Sequence, residues 1–163
     1  MSRALLTLIL GAALTGCASL GVRTEGTSGP IAWHVTDLKK SESVLGPREV
    51  QGESRGTYSF TLVLKETQGI LITFTYRKDT THAVGVTVLK SVEQAISLRF
   101  KPHEERRFPL SFSWGCAAGD CLPARSVAPI WTIDLTGMDD QGNPVKAIIN
   151  IKLPLDPDTY RKP

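Results

Sequence analysis

In a chain of 163 residues with three cysteines and three histidines, few side chains could carry chemistry. The histidines, His34, His82 and His103, are scattered. None has a second histidine or a carboxylate at the spacing that zinc or copper sites use. His103 is followed by Glu104 and Glu105, but adjacent residues of an extended chain point apart, which suits a solvated turn better than a ligand set. Ser111 and Ser113 alternate with apolar residues as strand residues do, outside any Gly-x-Ser-x-Gly elbow. No glycine-rich phosphate loop is present. Asp139 and Asp140 share a loop with Gly142, Asn143 and Pro144. Calcium binds such loops, yet the EF-hand spacing is missing and a turn accounts for the composition. The run from Lys101 to Arg107 mixes both signs and reads as a hairpin tip, with a contact surface for an acidic partner as the alternative. The side chains therefore predict no catalytic residue, no metal ligand and no cofactor.

The cysteines say more. The chain opens with Arg3, then runs apolar from Ala4 to Leu14, broken only by Thr7 and Gly11. That run is shorter than the roughly 20 apolar residues a membrane-spanning helix needs, and it has the flanks of a secretory signal peptide. It ends in Leu14-Thr15-Gly16-Cys17, which resembles the lipobox of bacterial lipoproteins. The resemblance covers the whole leader. It implies diacylglycerol on the Cys17 thiol, cleavage between Gly16 and Cys17, and frequent acylation of the new amino group. An ordinary signal peptide with an incidental cysteine is the alternative. Ala18, where an aspartate would imply retention at the inner membrane, implies the outer membrane. Each buried methylene contributes about 0.8 kcal/mol, so two or three acyl chains anchor a domain where one is marginal.

Removing the sixteen residues before Cys17 leaves 147 of the 163, enough for one domain with a proper core. Without Arg3 the balance of 19 basic to 16 acidic residues moves closer still to neutral. That argues against a nucleic-acid footprint, which needs a clustered basic excess. With Cys17 assigned to lipid, Cys116 and Cys121 remain, enclosing Ala117, Ala118, Gly119 and Asp120. An even remainder in an oxidising compartment reads as a disulfide, with Gly119 supplying the turn that brings the sulfurs together. A thioredoxin-like redox pair would have two intervening residues, and partners for a metal site are not visible.

Stepping along the chain, residues 1–16 form the leader and residues 17–29 a lipidated start and tether. Residues 30–154 form the folded domain, and 155–163 a proline-containing tail that leaves it. Ala18 to Gly29 would span about 20 Å on average and roughly 40 Å at full stretch. After Pro30 the sequence alternates apolar and polar residues, the period of half-buried strands. Strands are predicted around Ile31, Trp33 and Val35; Tyr58, Phe60, Leu62 and Leu64; Ile70, Ile72, Phe74 and Tyr76; and Val84, Val86 and Val88. Others follow at Ile96, Leu98 and Phe100; Phe108, Leu110, Phe112 and Trp114; Trp131, Ile133 and Leu135; and Val145, Ala147, Ile149 and Ile151. The second and third runs, joined by Glu66-Thr67-Gln68-Gly69, read as a hairpin with Thr75 and Arg77 outward. Leu89 to Ala95 offers at most one short helical turn.

Such a set predicts an all-β fold, an immunoglobulin-like antiparallel β-sandwich of seven to eight strands. The closing pair, with its Asp, Gly, Asn and Pro loop, resembles the last hairpin of bacterial immunoglobulin-like and fibronectin type III-like domains. A Cys116–Cys121 bond would staple one loop and not the two sheets. With no catalytic constellation, the expected role is a non-enzymatic module that the Cys17 lipid holds at a membrane and that contacts an envelope protein. Outward threonines near Tyr58 and Tyr76 would offer the strand edge or face. The alternative is a periplasmic ligand- or metal-binding lipoprotein, which needs a concave pocket. An enzyme acting on envelope polymers would need two carboxylates converging across a cleft.

Overall fold

The computed structural model describes residues 22–44, 54–83, 90–116 and 129–154. These residues form β1 (Glu25–Ser28), β2 (Ile31–Val44), β3 (Ser54–Glu66), β4 (Ile72–Ala83), β5 (Lys90–Phe100), β6 (Glu105–Cys116), β7 (Pro129–Asp139) and β8 (Pro144–Lys152). They pair into two antiparallel four-stranded sheets, β1-β2-β3-β6 and β5-β4-β7-β8. The expected all-β sandwich is therefore what the chain forms. Alternation is its cause: in β8 every second residue, from Val145 to Ile151, is buried, while Lys146, Ile148 and Asn150 are exposed. Trp33 from β2 and Tyr58, Phe60, Leu62 and Leu64 from β3 meet Phe74, Phe100, Ile133 and Leu135 of the other sheet in one core.

The β7–β8 hairpin closes as expected, from Met138 opposite Pro144 to Ile130 opposite Lys152. Its loop is a turn that uses its own carboxylate. Asp139 Oδ1 accepts from the backbone N–H of Gln141 and Asn143 at 2.9 and 2.8 Å, while Oδ2 accepts from the Asn143 amide. Hydrogen bonds from the Asn143 side chain, and then from the backbone, hold Asp139 below the ordinary carboxylate range. Gly142 takes the left-handed φ of 82° that the turn requires.

Four expectations change. First, β3 and β4 are not a hairpin: they lie in opposite sheets, and the connection crosses the sandwich. Both strands carry large apolar residues on their inward face. Stacking those faces about 10 Å apart buries them together, which side-by-side pairing in one sheet would not do. The corner is held by Glu66, whose fully buried carboxylate accepts from the backbone N–H of Gln68, Gly69 and His103 at 2.6, 2.9 and 2.8 Å. Neither strand is an edge, so of the edge or face suggested near Tyr58 and Tyr76 the edge is ruled out. Tyr58 is buried, donating its hydroxyl to the Pro154 carbonyl at 2.9 Å.

Second, β4 carries a bulge between Phe74 and Tyr76, seen against both β5 and β7. One extra residue reverses the facing of everything after it. Tyr76 is exposed and Arg77 points inward, the opposite of the plain alternation. Third, ordered structure begins before Pro30. Arg23 bridges Lys152 through two backbone hydrogen bonds of 2.9 and 2.8 Å, and β1 pairs with β2. Gly26, Thr27 and Ser28 give no apolar signal, because β1 covers an edge and not the core. Fourth, Lys90 to Ala95 is strand, not a helical turn. Its residues are exposed, since β5 is an edge with little to bury. Cys17, Cys121, the strand read at Val84, Val86 and Val88, and the segments 1–16 and 155–163 lie outside the described residues, whereas Cys116 ends β6.

Candidate functional site

The β4 bulge has a polar consequence inside the sandwich. Residues two apart on a strand share a face, so once Arg77 turns inward, Asp79 and Thr81 follow it. Arg77 Nε donates to Asp79 Oδ2 at 2.6 Å and Nη2 to Oδ1 at 2.8 Å, a two-point guanidinium–carboxylate pair. Trp131 of β7 donates its indole N–H to Asp79 Oδ1 at 2.9 Å. The Trp131 ring packs edge-on to Phe60, with centroids 5.7 Å apart, and tilted against Phe112 at 6.4 Å. Both charged side chains are only about one-fifth exposed, 21% and 16%.

This pair lines a cavity of 210 Å³ between the β5 and β6 edges, together with Thr81, Lys90, Val92, Ser111, Phe112 and Trp131. Two strands that are both edges meet without pairing here, so the sandwich is open along this seam. Arg77 and Lys90 against Asp79 leave one excess positive charge among the lining groups. Apolar walls from Val92, Phe112 and Trp131 complete the composition of a small polar-headed binding site.

An inward ion pair is a weak source of stability, because removing two charges from water offsets most of their attraction. Asp79→Asn, which leaves the guanidinium without its counter-charge, is expected to cost about 2 kcal/mol. The double variant Arg77→Leu with Asp79→Val is expected to recover most of that loss in urea unfolding. A double variant as unstable as the single one would show that the pair serves the fold itself.

The residues singled out from sequence do not converge. His34 lies on the outer face of the first sheet, lining an open depression of 470 Å³ with Glu25, Lys65 and Glu105. His103 is an exposed turn residue with a φ of 60°, its Nδ1 4.0 Å from Glu66. Asp139 serves its own turn. Among the described residues no group of three His, Cys, Asp or Glu side chains is placed to hold a metal. Of the cavity residues, Ser111, Phe112 and Trp131 read from sequence only as strand residues, and Arg77, Asp79 and Lys90 escape it, although a signal exists: after Tyr76 the apolar alternation stops, and Arg77-Lys78-Asp79 continues a strand without it.

A second polar cluster lies on the outer face of the other sheet. Lys78 pairs with Glu93 at 2.7 Å, and Lys146 with Asp134 at 3.0 Å. The hydrogen bond to Glu93 raises both the Tyr76 phenol and the Lys78 ammonium, while Lys78 and then Tyr76 lower Glu93. These groups stand in solvent, where ion pairs contribute little.

No protein family matches the sequence, and no curated protein does. Solved structures do. A structural genomics target, SoR45, is similar with a TM-score of 0.51 and 12% identity, over 82% of this chain and 92% of that one. A protein from Archaeoglobus fulgidus is 11% identical over 73% of this chain and 94% of its own, with a TM-score of 0.39. At 12% identity the SoR45 likeness is one of fold: two antiparallel β-sheets packed face to face.

Proposed function

We propose that the chain is a bacterial lipoprotein whose β-sandwich is an immunoglobulin-like, non-enzymatic interaction module of the cell envelope, anchored through lipid on Cys17. The observation that carries this reading is the lipobox-like Leu14-Thr15-Gly16-Cys17, only six residues ahead of the bridged Arg23. A disulfide between Cys116 and Cys121 belongs to the same reading of an oxidising compartment. Strand order supports the immunoglobulin-like part. β2-β3-β6 facing β4-β7-β8 repeats the order A-B-E against C-F-G, with β5 added beside β4 and β1 beside β2. Ala18 supports the outer membrane, and the partner sought is another envelope protein.

Intact-mass measurement of protein extracted from bacterial membranes is expected to find a mature chain starting at lipid-modified Cys17. Thiol labelling without reductant should leave Cys116 and Cys121 unmodified. A mature start at any other residue would end the lipoprotein reading. In-cell crosslinking then identifies the partner.

The cavity beside Arg77, Asp79 and Trp131 favours a second reading, a periplasmic lipoprotein that binds a small ligand in the seam. A co-purifying small molecule that is lost in Arg77→Leu/Asp79→Val, with no crosslinked protein, would select it.

A further inference from the structure

Strand β5 sets the charge of the seam it shares with β6. It alternates without interruption, so Lys90, Val92 and Gln94 share the inward face of Ile96, Leu98 and Phe100. Across the ladder Gln94 stands opposite Arg77, Val92 opposite Asp79 and Lys90 opposite Thr81. Glu93, the one carboxylate of β5, falls on the outer face and pairs there with Lys78 at 2.7 Å. The cavity therefore receives the lysine of β5 and not its carboxylate.

The charges that line the cavity are unequally engaged. Asp79 already accepts two hydrogen bonds from Arg77 and one from the Trp131 indole, which leaves a cation little to gain there. A guanidinium carries five N–H donors, and Arg77 gives two of them to Asp79. The others bond to no described residue, and among the described residues Lys90 has no ion-pair partner. Asp79 takes the Nε–Nη2 edge of the guanidinium. The remaining Nη1–Nη2 edge has the spacing of a second planar carboxylate. One excess positive charge matches a monoanion. A dianion would leave a charge uncompensated in a site partly withdrawn from water.

Volume limits the rest of the ligand. An apolar cavity of about 150 Å³ takes benzene, and the 210 Å³ here leaves room for a carboxylate besides. Val92, Phe112 and Trp131 supply the apolar wall. Beyond Arg77, which lines both spaces, the void among Leu98, Phe108 and Leu110 measures only 20 Å³. That is room for about one water, so a long acyl chain finds no inward path.

We propose that the β5–β6 seam binds a small monocarboxylate with a compact apolar body. Its carboxylate lies between Arg77 and Lys90, and its body rests against Val92, Phe112 and Trp131. The assignment rests on the small-ligand reading of this cavity and adds the ligand's charge and size.

The test titrates the mature protein purified from bacterial membranes, following the indole N–H signal of Trp131, which a Trp131→Phe variant identifies. Phenylacetate is the probe, beside neutral phenylacetamide and cationic phenethylamine of similar size. Phenylacetate should bind about tenfold more tightly than either, or better. Lys90 is exposed at the start of its strand, so Lys90→Glu should leave the fold intact. It should weaken phenylacetate about tenfold and phenylacetamide hardly at all, with Lys90→Gln in between. Equal affinities for the three probes, or tightest binding of the amine, overturn the carboxylate while the small-ligand reading stands. Phenylacetate binding untouched by both Lys90 variants overturns the placement beside Lys90. No response of Trp131 to any probe overturns the assignment altogether. A co-purified molecule lost in Arg77→Leu/Asp79→Val would in that case still uphold the small-ligand reading.

Discussion

Gly137→Ala is expected to destabilise the domain by about 3 kcal/mol and to lower its melting temperature by roughly 10 °C. Gly137 is buried in β7 opposite Phe74, where β4 begins to bulge. A methyl group there would overlap the Thr73 carbonyl oxygen and lie 2.6 Å from Phe74 Cα. Both obstacles are backbone, so no rotamer change relieves them. Either the two strands separate or the bulge relaxes, and relaxation would return Arg77 to solvent and press Tyr76 into the core. Gly142→Ala is the contrasting control. Nothing lies within 4 Å of its added methyl, and only the φ of 82° opposes it, at about 1 kcal/mol. Thermal unfolding that ranks Gly142→Ala at or above Gly137→Ala would show that the close approach of β4 and β7 is not what requires glycine.

Glu66→Gln should bring a comparable loss, about 3 kcal/mol, and a changed response to acid. The two carboxylate oxygens accept three backbone N–H groups drawn from two different turns. An amide places NH₂ against at least one of those donors. Burial pushes the Glu66 carboxyl up, yet the N–H groups of His103, Gln68, Gly69 and Ile70 together outweigh burial and hold it below its ordinary value. A carboxyl lowered in the folded state binds fewer protons than in the unfolded chain. Its stabilisation is thus complete above the unfolded value of 4.5 and is lost as pH falls through the lowered folded value. The wild type should lose stability steeply across that acid range, and Glu66→Gln should show a shallower slope in urea midpoints. Parallel slopes for the two proteins would assign the acid sensitivity to other carboxylates.

Legibility in the sequence followed burial. β3, β7 and β8 alternate cleanly because one face of each is core, and their inward residues match the expected ones. β1 and the first half of β5 were missed for the converse reason: edge strands with little to bury leave no periodic trace. The third strand was legible only as far as Phe74. Beyond it the bulge reverses the facing, and no residue type between Thr73 and Arg77 announces an inserted residue. The polar cavity went unread with it, since Arg77 and Asp79 look like surface charges until the bulge points them inward. The β3–β4 corner failed differently. Glu66-Thr67-Gln68-Gly69 has the composition of a hairpin turn, and only a carboxylate buried among backbone N–H groups tells that the chain is changing sheets.

The short strand β1 also settles what counts as the independent unit of this protein. The outer edge of β8 is partly occupied, by the Arg23–Lys152 bridge and by the Ser28 hydroxyl, which accepts from Ile148 N–H at 2.8 Å. A fragment cut at Pro30 keeps every large buried aromatic but bares the edges of β8 and β2, and unpaired edges recruit other chains. Soluble production, crystallisation and fusion to other domains therefore call for a boundary at or before Val22. The same stretch that would connect the domain to its lipid keeps one copy from adding strands to the next.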